Sequence, residues 1–251
     1  MSADSRPVAV VSGGTSGIGR AVALRLAASH GYTVVAFGNV AAEVDVMRQE
    51  HPDIDLRTAD VSDAAQVDAL IADVLARHGR IDGLVNAAAV MTRGTALEVD
   101  EAAWDRTFDI NVKGVYLLTR RVLPAMIAAG GGAVVNFASP SGNGGTDHLA
   151  YCASKGAIMA LTTSLALDHL ADHVRVNAVI PGSTRTGMNR DRSEEMHRRI
   201  GRTNVSGRVN DPDDVARAVA FLLGRDSATI SGAFLDVGAV SGQMVVIPKA
   251  P

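Results

Sequence analysis

The sequence predicts a doubly wound α/β fold, in which a mostly parallel seven-stranded sheet carries helices on both faces. Three observations support this prediction. Short runs of apolar, mainly β-branched residues recur along the chain, stretches with helical periodicity separate them, and a glycine-rich turn joins the first run to the first helix. Alternation of this kind is typical of parallel sheets, because parallel neighbours need a crossover connection that is usually a helix.

Seven strands are predicted in order along the chain. Their apolar runs cover residues 8–11, 33–37, 55–59, 81–85, 133–138, 174–180 and 234–237. Helical periodicity follows the first strand over 18–29 and the third over 63–78, and Asp211 before Pro212 has the pattern of a helix start. Trp104 and Phe108 lie on another predicted helix, where we expect them to pack in the core or an interface.

Length and composition predict one large soluble domain. The chain has 251 residues, 47% of them hydrophobic, which is enough for one sizeable core. Its 24 basic and 27 acidic residues give a net charge of -3, which favours a small-molecule partner over nucleic acid or an anionic membrane. The one cysteine, Cys152, can form neither an intramolecular disulfide nor a cysteine-based metal cluster. We expect no metal, no signal peptide and a cytoplasmic location.

The turn after the first strand has the glycine spacing of a dinucleotide site. Gly13, Gly17 and Gly19 follow a G-x-x-x-G-x-G pattern between strand and helix. A pyrophosphate approaches the backbone closely only where no Cβ intervenes, and the helix N-terminus supplies free N–H groups and a positive dipole end. We therefore predict a dinucleotide cofactor at this turn. The predicted contact residues are Ser12, Gly13, Thr15, Ser16, Gly17, Ile18 and Gly19.

The end of the second strand is where such a unit distinguishes NAD from NADP. An acidic residue there binds the 2′-hydroxyl of NAD, whereas an arginine accepts the extra phosphate of NADP. This chain has Gly38 and Asn39 instead, with Ser16 and Arg20 as nearby polar candidates. The sequence therefore leaves both cofactors open.

Further polar and small residues stand near the ends of the next elements. Asp60 either caps the following turn or accepts a hydrogen bond from the amine of an adenine. Asn86, Ala87 and Ala88 follow the fourth strand, where small residues indicate a close approach of the chain to a neighbour. Asn111 is an amide inside an apolar helical stretch. Either neighbouring backbone satisfies it or it has a functional role.

Tyr151 and Lys155 are four residues apart, so on a helix they share one face. A phenol titrates near pH ~10, and a neighbouring ammonium favours the phenolate, which would lower the phenol's pKa toward the range useful for acid–base catalysis. The fifth strand delivers Ser139 to the carboxyl edge of the sheet. The glycine-rich segment 140–145 after it is predicted to be an irregular loop that frames a pocket.

These motifs together resemble the short-chain dehydrogenase/reductase superfamily in its compact single-domain form, over nearly the whole chain. The turn 12–19 is similar to the family's Thr-Gly-x-x-x-Gly-x-Gly, with serine in place of threonine. Asp60-Val61 is similar to its adenine-side pair, and Pro181-Gly182-x-x-x-Thr186 to its nicotinamide-side motif.

The catalytic motif of that family resembles Tyr151-x-x-x-Lys155, with Ser139 twelve residues before the tyrosine. Ser141 is the alternative serine, but Ser139 directly ends the strand and has the family's Ser-x-x-Gly spacing. Asn111 matches the helix asparagine that completes a tetrad. The resemblance implies that the tyrosine exchanges a proton with the substrate oxygen, the serine orients that oxygen, the lysine lowers the phenol's pKa and binds the nicotinamide ribose, and the asparagine positions a water.

The resemblance also implies the overall organisation. It predicts one Rossmann-type domain over 1–251, with a cofactor half at 7–120, a catalytic and substrate half at 133–251 and a lid at 188–204. The cofactor, NAD or NADP, would exchange hydride with a carbonyl or a secondary alcohol. Its predicted contacts beyond the first turn are Gly38, Asn39, Asp60, Val61, Asn86, Ala87, Ala88, Tyr151, Lys155, Pro181, Gly182, Thr184 and Thr186.

The predicted substrate pocket comprises Ser139, Ser141, Asn143, His148, Tyr151 and Met188. For Arg185 and Arg190 in the lid region we expect a surface role rather than contact with an acidic substrate. The family usually has Asn-Asn-Ala-Gly where this chain has Asn-Ala-Ala-Ala, so Ala87 and Ala89 are departures that would weaken cofactor binding. By family analogy, the last strand and the tyrosine helix would form the contacts of a dimer or tetramer.

Two other function classes remain open. A non-enzymatic redox sensor would need the glycine turn but not the serine, tyrosine and lysine together. A sugar-nucleotide epimerase or dehydratase would need a larger C-terminal region than the chain has after Thr186. The substrate itself stays open among a 3-oxoacyl thioester, a sugar, a steroid and a small ketone.

Overall fold

One parallel sheet of seven strands organises the chain, as the sequence predicts. The computed structural model describes residues 6–189 and 192–238. In these ranges the strands are β1 Val8–Ser12, β2 Thr33–Gly38, β3 Asp55–Thr58, β4 Gly83–Asn86, β5 Gly132–Phe137, β6 Val174–Pro181 and β7 Phe234–Val237. Every neighbouring pair is parallel, so the sheet is more uniform than the predicted mostly parallel one.

Helices connect successive strands and cover both faces of the sheet. They are α1 Gly17–Ser29, α2 Ala41–Glu50, α3 Ala64–His78, α4 Glu101–Phe108, α5 Gly114–Ala128, α6 Leu149–Asp168, α7 Glu194–Gly201 and α8 Pro212–Leu223. Sequence signals mark their ends. Asp63 caps α3 by accepting hydrogen bonds from the N–H groups of Ala65 and Gln66, and Gly79 ends it in the left-handed region at φ 71°.

The strand order is β3-β2-β1-β4-β5-β6-β7. The chain builds outward from β1 in one direction and then from β4 in the other. Ligands of open parallel sheets bind beyond the carboxyl ends of the strands, at the point where the order reverses. In this sheet that point lies between β1 and β4.

Each strand divides its side chains between two hydrophobic cores. On β1, Val8 and Val10 pack in one core, whereas Ala9 and Val11 pack in the other, as the period of two requires. All five residues of β1 are buried. A strand covered on both faces is therefore continuous in apolar residues, which is why the runs are recognisable in the sequence.

The structure corrects several predicted boundaries. The strand predicted at 81–85 is β4, which pairs only from Gly83 to Asn86. A π-helical turn, Asp109–Lys113, interrupts the helical stretch around Asn111. The loop predicted at 140–145 contains a 3₁₀ turn, Pro140–Asn143, which begins at a proline and is capped by the Ser139 side chain.

The predicted lid at 188–204 contains the end of a short 3₁₀ turn, Gly187–Asn189, and the helix α7. Arg190 lies outside the described residues. Ser193 caps α7 through a hydrogen bond of 3.2 Å from the N–H of Met196. No helix within 6–189 or 192–238 combines the length and apolar character needed to cross a membrane.

Candidate active site

The glycine-rich turn between β1 and α1 packs too tightly for larger residues. Gly13 has φ +63°, and a Cβ there would lie 2.8 Å from the main-chain nitrogen of Ala88. A Cβ on Gly19 would overlap the carbonyl oxygen of Gly13. The first N–H groups of α1 have no partner within the helix, and its first turn carries no acidic residue. This backbone cradle can accept a pyrophosphate.

Gly17 and Thr186 face each other across the carboxyl edge of the sheet. A Cβ on Gly17 would lie 3.6 Å from the Thr186 methyl carbon. They line a cleft of about 550 Å³ together with Arg20, Arg185, Asn189 and His197, among other residues. The structure thus brings the predicted pyrophosphate turn and the predicted nicotinamide-side motif together. Neither Ser139 nor Tyr151 lines this particular cleft.

Two predicted cofactor residues direct their side chains into the protein. The Ser12 hydroxyl accepts hydrogen bonds of 3.1 and 3.3 Å from the N–H groups of Ala87 and Ala88, which fastens β1 to the chain after β4. The Asn86 amide donates a hydrogen bond of 2.9 Å to the side-chain oxygen of Asn136. Both side chains are buried. Any cofactor contact from Ser12 or Asn86 would therefore come from the main chain, which the sequence pattern did not reveal.

The predicted adenosine end contains Asp60 and Asn39. Asp60 accepts hydrogen bonds from the N–H and hydroxyl of Ser62, at 2.9 and 2.6 Å, and from the Asn39 amide at 3.3 Å. Burial raises the pKa of the Asp60 carboxyl, but the hydrogen bonds from Ser62 and Asn39 outweigh it and the net pKa is lowered. Asp60 therefore makes the capping contacts and also holds Asn39. Arg20 forms an ion pair with Glu50 at 2.5 Å.

The remaining predicted cofactor residues cluster around these two ends. Thr15 is buried beneath Gly38, and its hydroxyl lies 3.4 Å from a Glu43 carboxylate oxygen. Val61 is buried in a core. Thr184 is buried, and its hydroxyl donates 3.0 Å to the carbonyl of Gly182. Ser16, Ile18 and Pro181 flank the same edge at the start of α1 and the end of β6.

Ser139 and Tyr151 lie within hydrogen-bonding reach of each other. Ser139 follows β5 and is 8% exposed, whereas Tyr151 is half-buried in the first turn of α6. Burial raises the pKa of the Tyr151 phenol, the hydrogen bond from Ser139 lowers it, and Cys152 raises it, with a net upward shift. Ser141 instead donates its N–H to the Ser139 hydroxyl at 3.2 Å. The geometry therefore pairs the phenol with Ser139.

Lys155 lies beneath the tyrosine on the same face of α6. Its Nζ is 5.6 Å from the centre of the Tyr151 ring and donates a hydrogen bond of 2.7 Å to the carbonyl of Phe137. The side chain is 4% exposed, and burial lowers its pKa to about 8. The expectation that Lys155 lowers the phenol's pKa is not met. The net pKa shift of Tyr151 is upward, because desolvation outweighs the hydrogen bond.

Asn111 is buried in the π-helical turn, with its amide fully engaged. Its oxygen accepts a hydrogen bond of 2.8 Å from the N–H of Val90. Its nitrogen donates hydrogen bonds of 2.9 Å to the carbonyl of Val90 and of 3.0 Å to the hydroxyl of Ser154. Ser154 in turn donates 2.8 Å to the carbonyl of Tyr151. Neighbouring backbone thus satisfies the amide, which was one of the two alternatives. The same contacts connect Asn111 to the helix that carries the tyrosine.

The other predicted pocket residues stand on the loops around this corner. Ser141 and Asn143 lie on the 3₁₀ turn, His148 precedes α6, and Met188 is 41% exposed. His148 lies 3.4 Å from an Arg93 guanidinium nitrogen. Trp104 and Phe108 stack on α4 with ring centroids 4.8 Å apart. Arg185 pairs with Glu194 at 2.6 Å, in agreement with its predicted surface role.

Sequence reasoning missed residues that support the site from outside the motifs. Ser154 joins Asn111 to Tyr151, and the signal was its position three residues after the tyrosine, from which a serine hydroxyl can reach that carbonyl. Asn136 on β5 connects Asn86 to Thr162 through buried hydrogen bonds of 2.9 and 3.0 Å. An amide inside an apolar strand indicates such a network, because a buried amide requires partners.

The chain was compared with known proteins. The family model for short chain dehydrogenases matches residues 7–197. Meso-2,3-butanediol dehydrogenase of Serratia marcescens is 35% identical over 237 residues, with 92% of each chain covered. 2-(S)-hydroxypropyl-CoM dehydrogenase 3 of Xanthobacter autotrophicus is 41% identical over 197 residues, which cover 75% of this chain and 76% of the relative.

A solved structure agrees in fold. The 3-ketoacyl-(acyl-carrier-protein) reductase of Brucella melitensis, complexed with NADH, superposes with a TM-score of 0.85 at 31% identity, covering 92% of this chain and 96% of that one. These comparisons confirm the resemblance drawn from the motifs and the predicted fold class. The chain belongs to the short-chain dehydrogenase/reductase family of NAD(P)-dependent oxidoreductases.

Proposed function

We propose that this protein interconverts a carbonyl and a secondary alcohol with NAD(H) or NADP(H), and that Tyr151 is the general acid and base. The observation that carries the proposal is the convergence at one corner of the sheet. Ser139 lies close enough to the phenol to lower its pKa by hydrogen bonding, and the Lys155 ammonium lies 5.6 Å from the centre of the Tyr151 ring. Such an arrangement can exchange one proton with a substrate oxygen and orient that oxygen at the same time.

The residues at the carboxyl edge fit a nicotinamide dinucleotide. Gly13 and Gly19 leave room where any Cβ would clash, and the N-terminus of α1 offers N–H groups and no acidic residue. We assign the pyrophosphate to this turn, the adenosine to Asn39 and Asp60, and the nicotinamide side to the chain after β6. The cofactor, when bound, supplies or accepts the hydride. The main chain and side chains of the protein bind the two reactants, orient them and exchange the proton.

In the direction of reduction, Tyr151 donates its proton to the oxygen that becomes an alcohol. Its raised pKa keeps the phenol protonated at neutral pH, which is the state an acid needs. Ser139 donates a hydrogen bond to the same oxygen and fixes its position. We assign Lys155, whose ammonium lies 5.6 Å from the centre of the Tyr151 ring, to the ribose hydroxyls of the nicotinamide, as the resemblance implies. In oxidation the same groups act in reverse.

Asn111 has a positioning role in this proposal. Through Ser154 it holds the first turn of α6, and through Val90 it holds the chain after β4. Asn111 thereby connects the chain after β4 to the helix that carries Tyr151. The resemblance also implies that Asn111 positions a water that links Lys155 to solvent, and this water stays a prediction. Its test is whether the proton exchange rate of Lys155 changes in Asn111→Asp.

The substrate would enter between the loops that carry Ser141, Asn143 and His148 and the chain around Met188. We propose that 188–204 acts as a lid, apart from residues 190 and 191, which are not described. The exposed charged side chains of α7 and its basic last turn suit a segment that covers a ligand and reopens. The cofactor half at 7–120 and the catalytic half at 133–251 form one domain in this proposal.

A homotetramer in the cytoplasm completes the proposal. Apolar side chains are exposed on helices beside the site, with Leu167 of α6 at 65% and Tyr116 of α5 at 46%. Such residues are favourable in an interface between subunits. Cys152 is a buried free thiol, which suits a reducing compartment. Sedimentation equilibrium would measure the subunit number, and a monomer across the micromolar range would contradict the assembly.

The decisive experiment is a panel of ketones and secondary alcohols, each assayed with NADH or NAD and with NADPH or NADP. We expect cofactor oxidation to match alcohol formation mole for mole, and Tyr151→Phe to abolish both. Product turnover without net cofactor consumption would favour an epimerase instead. Tight cofactor binding with no turnover of any panel member would favour a redox sensor.

A further inference from the structure

Arg192 is a half-buried cation beside the proposed nicotinamide-side motif. One of its guanidinium nitrogens donates a hydrogen bond of 2.8 Å to the hydroxyl of Ser183, two residues after the end of β6. The side chain forms no ion pair with a carboxylate of 6–189 or 192–238. A partly desolvated guanidinium with one neutral partner retains several unused N–H donors. This side chain is therefore suited to bind an anion.

Arg93 approaches the same corner from the chain after β4. Its guanidinium lies 3.4 Å from Nε2 of His148, whose Nδ1 lies 2.8 Å from the carbonyl of Thr146. A carbonyl can only accept, so Nδ1 carries the proton and Nε2 accepts from Arg93. His148 precedes Tyr151 by three residues, which places it one helical turn from the phenol. His148 therefore positions a second guanidinium at the entrance to the proposed catalytic corner.

The two guanidiniums lie near enough to repel each other. The pKa of Arg192 is lowered first by burial and then by the positive charge of Arg93. Neither Glu98, five residues after Arg93, nor Asp147, next to His148, forms an ion pair with it among the described residues. Glu98 accepts hydrogen bonds from the N–H and hydroxyl of Thr95, both 2.8 Å, and Asp147 is exposed without an ion pair.

Other arginines of the chain are neutralised in the expected way. Arg185, close to Arg192 in the sequence, makes two hydrogen bonds of 2.6 and 2.8 Å to Glu194. Arg25 makes two of 2.7 Å to Asp213. Two mutually repelling cations cost free energy unless a negative charge compensates them, and within 6–189 and 192–238 no carboxylate pairs with Arg192 or Arg93. We assign this negative charge to the substrate, because Arg93 contacts His148, which lies one helical turn from Tyr151.

We propose that Arg192 and Arg93 together bind an oxyanion group of the substrate, so that the enzyme acts on keto or hydroxy compounds that carry a carboxylate or phosphate. The inference rests on the proposed function. A planar guanidinium donates two parallel hydrogen bonds to such a group, which fixes its orientation as well as its position. The carbonyl end of the same molecule then reaches Ser139 and Tyr151. In the sequence, Arg185 is one candidate for contact with an acidic substrate. It is not suited to this role, because two of its guanidinium nitrogens already donate hydrogen bonds to Glu194.

The test compares anionic substrates with neutral counterparts of similar size. Acetoacetate and levulinate are assayed beside their methyl esters, and dihydroxyacetone phosphate beside dihydroxyacetone, with both reduced cofactors. The ratio of kcat/KM, anion over neutral, is measured for the wild type, Arg192→Gln, Arg93→Gln and a control, Arg202→Gln. Arg202 is exposed in the same segment, its side chain has no partner within 6–189 or 192–238, and its substitution removes the same charge.

We expect a preference for the anion in at least one pair. Arg192→Gln should reduce that preference by about 10- to 100-fold, and Arg93→Gln by a smaller factor, because a hydrogen bond to a charged group is lost. Arg202→Gln should leave it within about twofold, which excludes a general field effect. The carboxylate and phosphate pairs show which oxyanion the site takes. An unchanged ratio in Arg192→Gln, or an equal loss in Arg202→Gln, overturns the inference.

The outcome separates this inference from the proposed function. Reduction of the neutral compounds without any anion preference leaves the function standing and overturns the arginine site. If no compound is reduced, the proposed function fails, and calorimetric binding of the same anions to the cofactor-saturated protein decides the inference. Binding that weakens at least tenfold in Arg192→Gln supports it, whereas absent binding or equal binding of anion and neutral compound overturns it.

Discussion

The ammonium of Lys155 donates a hydrogen bond of 2.7 Å to the main-chain carbonyl of Phe137, the last residue of β5. This contact fastens α6 to the strand that delivers Ser139. The ammonium is almost completely shielded from solvent, and desolvation lowers its pKa to about 8. The catalytic geometry therefore depends on a cation that the fold holds at a cost in stability.

This cost predicts a pH dependence. In the unfolded chain the pKa of Lys155 is about 10.4, above the folded value of about 8. At a pH between these two pKa values, the unfolded state therefore binds more protons than the folded state. Above the unfolded pKa, Lys155 is neutral in both states and the folded state bears no cost for a buried charge. As the pH falls from there through about 8, the free energy of unfolding decreases and the folded protein takes up this charge. Relative to Lys155→Met, we expect the wild type to gain on the order of 3 kcal/mol in the free energy of unfolding between pH 8 and 10.5.

Urea denaturation of both proteins at several pH values measures this difference. Lys113→Met is the control, because Lys113 is exposed and forms only an i,i+4 ion pair with Asp109. If the difference in the free energy of unfolding between the wild type and Lys155→Met stays constant with pH, the pKa of Lys155 is the same in the folded and unfolded states and the prediction is wrong.

Removal of the Tyr151 hydroxyl should remove most turnover. Acid–base catalysis of this kind contributes about 10²–10⁴-fold, so we expect kcat of Tyr151→Phe to fall by that factor while the Kd of the cofactor changes little. Tyr116→Phe is the matched control, since that phenol lies on the exposed side of α5 and contacts Arg120. Stopped-flow and fluorescence titration supply the two quantities. Unchanged kcat in Tyr151→Phe would remove the tyrosine from the mechanism.

Asn111 should affect stability as well as rate. Asn111→Ala leaves the N–H and carbonyl of Val90 without their partner, and each orphaned buried group costs about 1–3 kcal/mol. We expect the free energy of unfolding to fall by at least about 2 kcal/mol, measured by chemical denaturation. Asn143→Ala, at an exposed position, should change it by less than about 0.5 kcal/mol. A stable Asn111→Ala with reduced kcat alone would argue for a purely chemical role.

Gly13 tests the backbone cradle. Gly13→Ala places a methyl group 2.8 Å from the main-chain nitrogen of Ala88, so the turn must open and cofactor affinity should fall more than tenfold. Gly31→Ala is the control, because Gly31 has a similar φ of +66° with nothing within 4 Å. It should cost about 1 kcal/mol of stability and leave cofactor affinity unchanged. Equal affinities in the two variants would place the pyrophosphate elsewhere.

Asn39 tests the choice of cofactor. Its side chain is exposed at the end of β2 and donates to Asp60, so a charge introduced there changes the adenosine ribose site with little effect on the core. Asn39→Asp should raise the preference for NAD, and Asn39→Arg the preference for NADP, each by at least about tenfold in kcat/KM. Ser29→Arg, at an exposed position at the end of α1, controls for net charge. A preference that moves in neither variant would show that Asn39 does not face the ribose.

Much of the fold followed from the sequence for a definite physical reason. A strand buried on both faces must be apolar throughout, as in β1, and a helix start needs a cap such as Asp63. Such requirements are local, so they appear as short patterns. The π-helical turn around Asn111 was missed because it is specified by the contacts of the amide with Val90 and Ser154, which are distant in sequence.

By itself the sequence determined the fold class and the position of the glycine turn, and it singled out Ser139, Tyr151 and Lys155 as candidate catalytic residues. Spacing along one helix or one turn is enough to specify these. Only the tertiary structure decided the electrostatics. It showed that the side chains of Ser12 and Asn86 turn inward. It also showed that desolvation gives the pKa of Tyr151 a net upward shift, and that the charge of Arg93 contributes to lowering the pKa of Arg192. Burial and long-range charge depend on how distant segments pack, and no local pattern encodes that.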